Sequence, residues 1–233
     1  MYTDNYLPQP PIFAAFFFHM KRLLSYLYPI RKKVPSQYNG KLEVTWYDGK
    51  KYLNTKNANY SYGSLQEILK FGLEQINLNP ISNCLLLGLG GGSVIDTLRS
   101  DFNFQQHITA VDIDPVVIAI AQKEFQHYNS PALNMVCADA KAFIHETTTR
   151  FDLIIVDLYI DAYMPSQFTE LSFWKAILKS HSKQGAIIFN AALHTSNSKV
   201  LQPIISLLKA NGFTVNIHQK VNGTNTLLVA QTP

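Results

Sequence analysis

Cysteine is nearly absent, with only Cys84 and Cys137 in 233 residues. Each sits in an apolar run that reads as a buried strand. A disulfide framework or a cysteine metal centre is therefore not expected, and a reducing, cytoplasmic setting is. Charge is also scarce: Asp, Glu, Lys and Arg make up 15% of the chain against 47% hydrophobic residues, too apolar a balance for a disordered chain. Uninterrupted hydrophobic runs are missing as well. The strongest candidate, residues 12 to 30 (IFAAFFFHMKRLLSYLYPI), is broken by His19, Lys21 and Arg22, so its apolar part is too short to cross a bilayer. Its charges follow the apolar stretch, whereas a secretory signal places them before it. The stretch reads as an amphipathic helix packed on the body or on a second subunit, with an interfacial membrane helix as the alternative. Seven histidines are scattered without metal-ligand spacing, so no metal is expected; His194, just after an apolar run, is the one that draws attention.

The net charge of +4 is unevenly placed. Residues 21 to 56 carry nine basic residues against Glu43 and Asp48, whereas residues 57 to 233 carry eleven basic and thirteen acidic ones. Basicity thus belongs to the front of the chain and the body is mildly acidic, which argues against a nucleic-acid partner. The local cluster suits a solvated flank, or else an anion, a membrane surface or a partner.

Lys41 to Thr55 holds two β-prone runs around Asp48-Gly49, a dipeptide suited to a tight hairpin turn. Leu65, Ile68, Leu69, Gly72, Leu73 and Ile76 then recur at helical spacing, with Ser64 and Glu67 placed like a capping box. From Asn83 onward, apolar runs (CLLLGL, ITAVDI, LNMVCA, FDLIIVD, GAIIFNA) alternate with helical stretches, the pattern of βα units on a parallel sheet. Two last strands joined by Asn222-Gly223 close the chain. The expected fold is α/β: a Rossmann-like, seven-stranded, mostly parallel sheet with helices on both faces and a small N-terminal β-hairpin extension. The division expected is residues 1–78 for the front elements and 79–233 for a nucleoside-binding domain.

The strongest chemical signal is LLLGLGGGS, glycines at the end of a strand and the start of a helix. Glycine permits a sharp turn and leaves room for a cofactor against the backbone. Gly88, Gly90 and Gly92 make GxGxG rather than GxGxxG, a spacing that favours an AdoMet-type nucleoside over NAD. Asp112 ends the next strand, 24 residues after Gly88, where an acid can bond ribose hydroxyls. Asp139 follows the third strand; it can accept from an adenine amino group, cap a helix, or do both. Asp157 ends the fourth strand and Asp161 lies on its loop, so four acids converge on one rim. They would repel one another unless cations or donors were held there.

These residues resemble the spermidine synthase (polyamine aminopropyltransferase) family on the AdoMet-dependent methyltransferase fold. The likeness covers the hairpin, the helix from Ser64, LLLGLGGGS, AVDIDP, ADAKAFI and FDLIIVDLYIDAYMPSQFTELSFW. It implies that Gly88, Gly90, Gly91, Gly92, Ser93, Asp112, Ile113, Asp139 and Ala140 line the nucleoside site, for S-adenosylmethionine or its decarboxylated form. It implies that Asp157 is the carboxylate beside the reacting amine, with Gln66, Tyr159, Asp161 and Glu170 as substrate contacts. In similar synthases the front elements support dimers, so a homodimer through this region is a further expectation. An aliphatic amine has a pKa near that of lysine, about 10.4, so a carboxylate or relay must favour its deprotonation.

Three departures stand out. Ser93 replaces the usual acid of Gly-Gly-Gly-Asp, which binds the amine of the decarboxylated cofactor; without that acid, a cofactor carboxylate meets no repelling charge at the helix start. The loop Asp157-Leu158-Tyr159-Ile160-Asp161 is less polar than the family's. Of the usual tyrosine–glutamine pair, only Gln66 matches, with Tyr60 and Tyr62 nearby. Three readings follow: an aminopropyltransferase acting on a polyamine, a methyltransferase acting on a small molecule with intact AdoMet, and a noncatalytic nucleoside-binding protein. Phe173 and Trp174 read as core rather than as substrate stackers.

Overall fold

The computed structural model describes residues 20–55, 59–61, 63–124, 132–161, 163–191 and 198–233. A first sheet has the order β1(Ile30–Ser36)–β2(Gly40–Tyr47)–β3(Lys50–Asn54)–β4(Asn59–Ser61), all antiparallel. The expected hairpin is β2–β3, turning at Asp48 (φ 51°) and Gly49 (φ 71°). It is only half of its sheet. The flanking strands escape the sequence because β1 carries Arg31, Lys32 and Lys33 in a row, a charge-protected edge without apolar alternation.

The expected helix to Ile30 does not run that far. Residues 20 to 24 are helical, the chain then turns, and Ile30 already begins β1. The turn is tied down from the hairpin, where the Gly49 and Asp48 amides donate to Ser25 Oγ and Ser25 O at 3.0 and 3.1 Å. Residues 12 to 19 lie outside the described residues. Among the described residues no helix is long and apolar enough to cross a membrane.

The lead-in helix α1 (Ser64–Glu74) starts from Gly63, whose carbonyl accepts the Glu67 amide. The capping box expected of Ser64 and Glu67 does not form: Ser64 is already inside the helix, one residue past the cap position, and no side chain caps it. Gly72 faces Ile188 and Leu227, which lets α1 press closely on the second sheet.

That second sheet has seven strands in the order β10(Thr214–Val221)–β11(Asn225–Gln231)–β9(His181–Asn190)–β8(Phe151–Val156)–β5(Asn83–Leu87)–β6(His107–Asp112)–β7(Leu133–Cys137). The five strands β5 to β9 are parallel and β11 runs against β9, as the terminal hairpin signal implied. Both faces are covered, so the strands read as nearly continuous apolar runs. Cys84 and Leu86 face one core with Leu69, Val94 and Val117; Leu85 and Leu87 face the other with Ile144, Trp174 and Leu208. Phe173 and Trp174 are fully buried in α5 (Leu171–Ser180), as expected of core, and the Trp174 indole donates to Phe168 O at 3.0 Å. Cys84 is buried as read, and burial pushes its thiol up to about 12. Cys137 is not: it ends the edge strand β7 and is exposed, a position that an apolar run alone does not reveal.

Candidate functional site

Parallel strands bring their C-terminal ends to one edge, so the order β9–β8–β5–β6–β7 lays Asn190, Asp157, Gly88, Asp112 and Asp139 side by side along a rim. Pairing continues one residue beyond the strands. The amides of Asp157, Gly88 and Ala138 donate to Leu87 O, Val111 O and Asp112 O at 2.8, 2.9 and 3.0 Å. With strands about 4.8 Å apart, Asp157 and Asp112 face the glycine loop from either side, about 10 Å from each other.

Gly88 has φ +96°, and a Cβ there would run into the Asp157 carbonyl oxygen, so only glycine lets the loop leave β5 against the end of β8. Gly92 caps α2 (Ser93–Asp96), whose Ser93 is buried. Asp112 braces this loop: Oδ2 accepts the Leu89 and Gly90 amides at 3.1 and 3.3 Å, and Oδ1 accepts the Asp114 amide at 3.0 Å. Burial outweighs those donors, and with the nearby Asp114 charge it pushes the Asp112 carboxyl up to about 6. Asp139 caps α4 (Ala140–Glu146) by accepting the Ala142 amide at 2.9 Å. The helix-cap role is thus present, and Asp139 remains partly exposed on the rim.

Burial likewise lifts the Asp157 carboxyl to about 6; the Asn190 amide opposes the rise and the Asp112 charge adds to it. Asn190 Nδ2 donates to Asp157 Oδ1 at 2.9 Å, and the Tyr159 hydroxyl donates to Asn190 O at 2.8 Å. Burial, and then the Asp157 charge, raise the Tyr159 phenol above its ordinary range. Among the described residues, no Lys, Arg or His forms an ion pair with Asp112 or Asp157. The two carboxylates thus lie in a desolvated strip where backbone amides and the Asn190 amide are their donors.

The remaining candidates divide. Asp161 (φ 52°) accepts from the Thr55 hydroxyl, which joins the loop after β8 to the end of β3. Gln66 donates to Thr97 Oγ1 at 3.0 Å. Glu170 is exposed and ion-paired with Lys141 at 2.8 Å, which holds its carboxyl below the ordinary range. Tyr62 and His194 lie outside the described residues, and no group of metal-ligating side chains forms among the described ones.

Sequence reasoning missed two features. Asn190, 1% exposed, ends the fifth parallel strand, and the positional rule that selected Asp157 applies to it equally. Asp114 is fully buried; its Oδ2 accepts from the Ser36 hydroxyl and from Asn39 Nδ2 (2.8 Å), and its Oδ1 caps α3 (Pro115–Glu124) through the Val116 amide at 2.9 Å. No local pattern signals that long-range latch to the first sheet.

Sheet order, antiparallel closing hairpin and glycine loop together define the Rossmann-like, class I methyltransferase fold. Residues 65–222 match the Spermine/spermidine synthase domain, and the chain belongs to that family. The polyamine aminopropyltransferase of Sulfolobus acidocaldarius is 29% identical over 143 residues, 58% of this chain and 46% of that protein. The chain thus spans less than half the length of this curated relative. In fold, it is similar to a spermidine synthase in complex with the transition state analogue AdoDATO (TM-score 0.61, 15% identity, 87% of this chain and 73% of that one). It is also similar to human Methyltransferase-like protein 13 in complex with SAH (TM-score 0.60, 23% identity, 74% of this chain and 83% of that one).

Proposed function

We propose that the rim binds an adenosyl sulfonium nucleoside and that the protein transfers its aminopropyl group to a polyamine amine. The observation that carries this reading is the placement of the Asp157 carboxylate: buried at the end of β8 against the glycine loop and held by the Asn190 amide, with burial pushing it up to about 6. In this reading the nucleoside lies against Gly88 to Ser93, its ribose toward Asp112 and its base toward Ile113, Asp139 and Ala140. The sulfonium supplies an electrophilic carbon and a thioether leaving group. Asp157 orients the amine and takes its proton as nitrogen bonds to carbon and the carbon–sulfur bond breaks. A carboxyl with a pKa about one unit below neutral is mostly ionised at pH 7 and is matched to that task. Asp161 and Tyr159 line the amine side of the loop; Gln66 and Glu170 belong to it only if they leave Thr97 and Lys141.

Membership of the spermine/spermidine synthase domain family supports aminopropyl transfer, and Ser93 favours a second reading, methyl transfer from intact AdoMet. The test is an assay of both reactions with putrescine-like amines, on the wild type and on Asp157→Asn. Thioether release dependent on the decarboxylated nucleoside, lost in Asp157→Asn, is expected. Turnover of AdoMet alone would replace the proposal with methyl transfer.

A further inference from the structure

The end of β9 and the start of β11 place three side chains in series at the Asp157 carboxylate. β11 pairs with β9 so that Leu227 lies opposite Asn190, which puts Asn225, two residues earlier, diagonally next to Asn190 on the same face. Asn225 Nδ2 donates to Asn190 Oδ1 at 2.8 Å, and Asn190 Nδ2 donates to Asp157 Oδ1 at 2.9 Å. The Asn190 backbone carbonyl is occupied by the Tyr159 hydroxyl at 2.8 Å.

We infer that Asn225 is a positioning residue for Asp157, acting through Asn190 to fix which end of the Asn190 amide faces the carboxylate. This rests on the proposed role of Asp157 as amine-orienting base. An amide has one donating and one accepting end, and rotation by half a turn about its last bond exchanges them. Facing Asp157 with nitrogen stabilises the carboxylate; facing it with oxygen stabilises the protonated acid. The amide is nearly fully buried, so water does not level the two orientations. Asn225 turns its Nδ2 end toward Asn190 Oδ1, and in that arrangement the pair holds the first orientation. The C-terminal hairpin thereby reaches the reactive edge without touching substrate.

The charged and titratable groups bearing on Asp157 among the described residues are Asp112, from the end of β6, and Tyr159, on its own loop. Both side chains are retained in every Asn225 variant.

The experiment follows the Asp157 side-chain carboxyl carbon by NMR through a pH titration of the whole, unliganded protein. Asp157→Asn assigns the signal. In Asn225→Leu, similar in size but without a donor, the Asp157 titration is expected to move up by about half to one pH unit. Asn225→Asp, which presents an acceptor and a charge to Asn190 Oδ1, is expected to move it further up. Asn225→Ser, which restores a donor, is expected to return it toward the wild type. Asn225 is only partly buried beside a turn, and thermal melting verifies that each variant is folded. A lowered Tm in Asn225→Leu with an unmoved Asp157 titration overturns the inference and leaves Asn225 a strand-pairing residue. The carboxyl is read without substrate, so a failure of the aminopropyl assay removes the functional reading and does not itself move this result.

Discussion

Asp157 and Asp112 have raised carboxyl pKa values for the same leading reason, loss of water at the end of a buried strand, and each lies in the field of another acid: Asp112 for Asp157, Asp114 for Asp112. The folded values near 6 exceed the unfolded carboxylate value of about 3.9, so between pH 4 and 6 the folded state binds more protons than the unfolded state. Stability therefore falls as pH rises through that window and stays lower above it. Asp157→Asn removes one of the two charges. It is expected to lose about 10²–10⁴-fold in transfer rate and yet to be more stable than the wild type by roughly 1–3 kcal/mol above pH 6. Urea unfolding at pH 4.5 and 7.5 checks it: the gain appears at the higher pH and shrinks at the lower. In the wild type, the proposed transfer is expected to fall below pH 6 as Asp157 gains its proton.

At the scale of elements, the glycine loop and the latch between the sheets govern the rim. Gly88→Ala drives a methyl group into the Asp157 carbonyl oxygen at a left-handed backbone position. A loss of roughly 3 kcal/mol or more, with weakened nucleoside binding, is expected from melting and calorimetry on that variant. Asp114→Ala frees Ser36, Asn39 and the Val116 amide together, and about 3 kcal/mol is the expected cost. Because Asp114 adjoins Asp112, hydrogen exchange should rise both at the β1–β2 turn and at Leu89 and Gly90. The βα units were legible because strands buried on both faces must be apolar throughout, and the two hairpin turns because Asn-Gly and Asp-Gly suit their positive φ angles. β1 and the Asp114 latch were not legible. A strand of successive basic residues has no period-two signal, and the bonds of Asp114 to Ser36 and Asn39 span 78 and 75 residues of sequence.

Over the whole molecule, the two sheets meet at the rim. Ser36 and Asn39 reach Asp114 just after β6, and Thr55 reaches Asp161 on the loop after β8, so the basic front sheet touches the rim on either side of the glycine loop. The rim acids were legible as a set because every parallel strand delivers its last residue to the same side. The Asn225–Asn190–Asp157 series was not, because it depends on which strand lies next to β9, a matter of topology rather than local pattern. Calorimetric titration of the purified protein with AdoMet and with decarboxylated AdoMet, in parallel at matched pH and salt, decides the proposed nucleoside site ahead of any assay. Both are expected to bind at the rim, the decarboxylated form more tightly, with affinity for either lost in Asp112→Ala. Tighter binding of intact AdoMet, or binding of neither, would contradict the proposal.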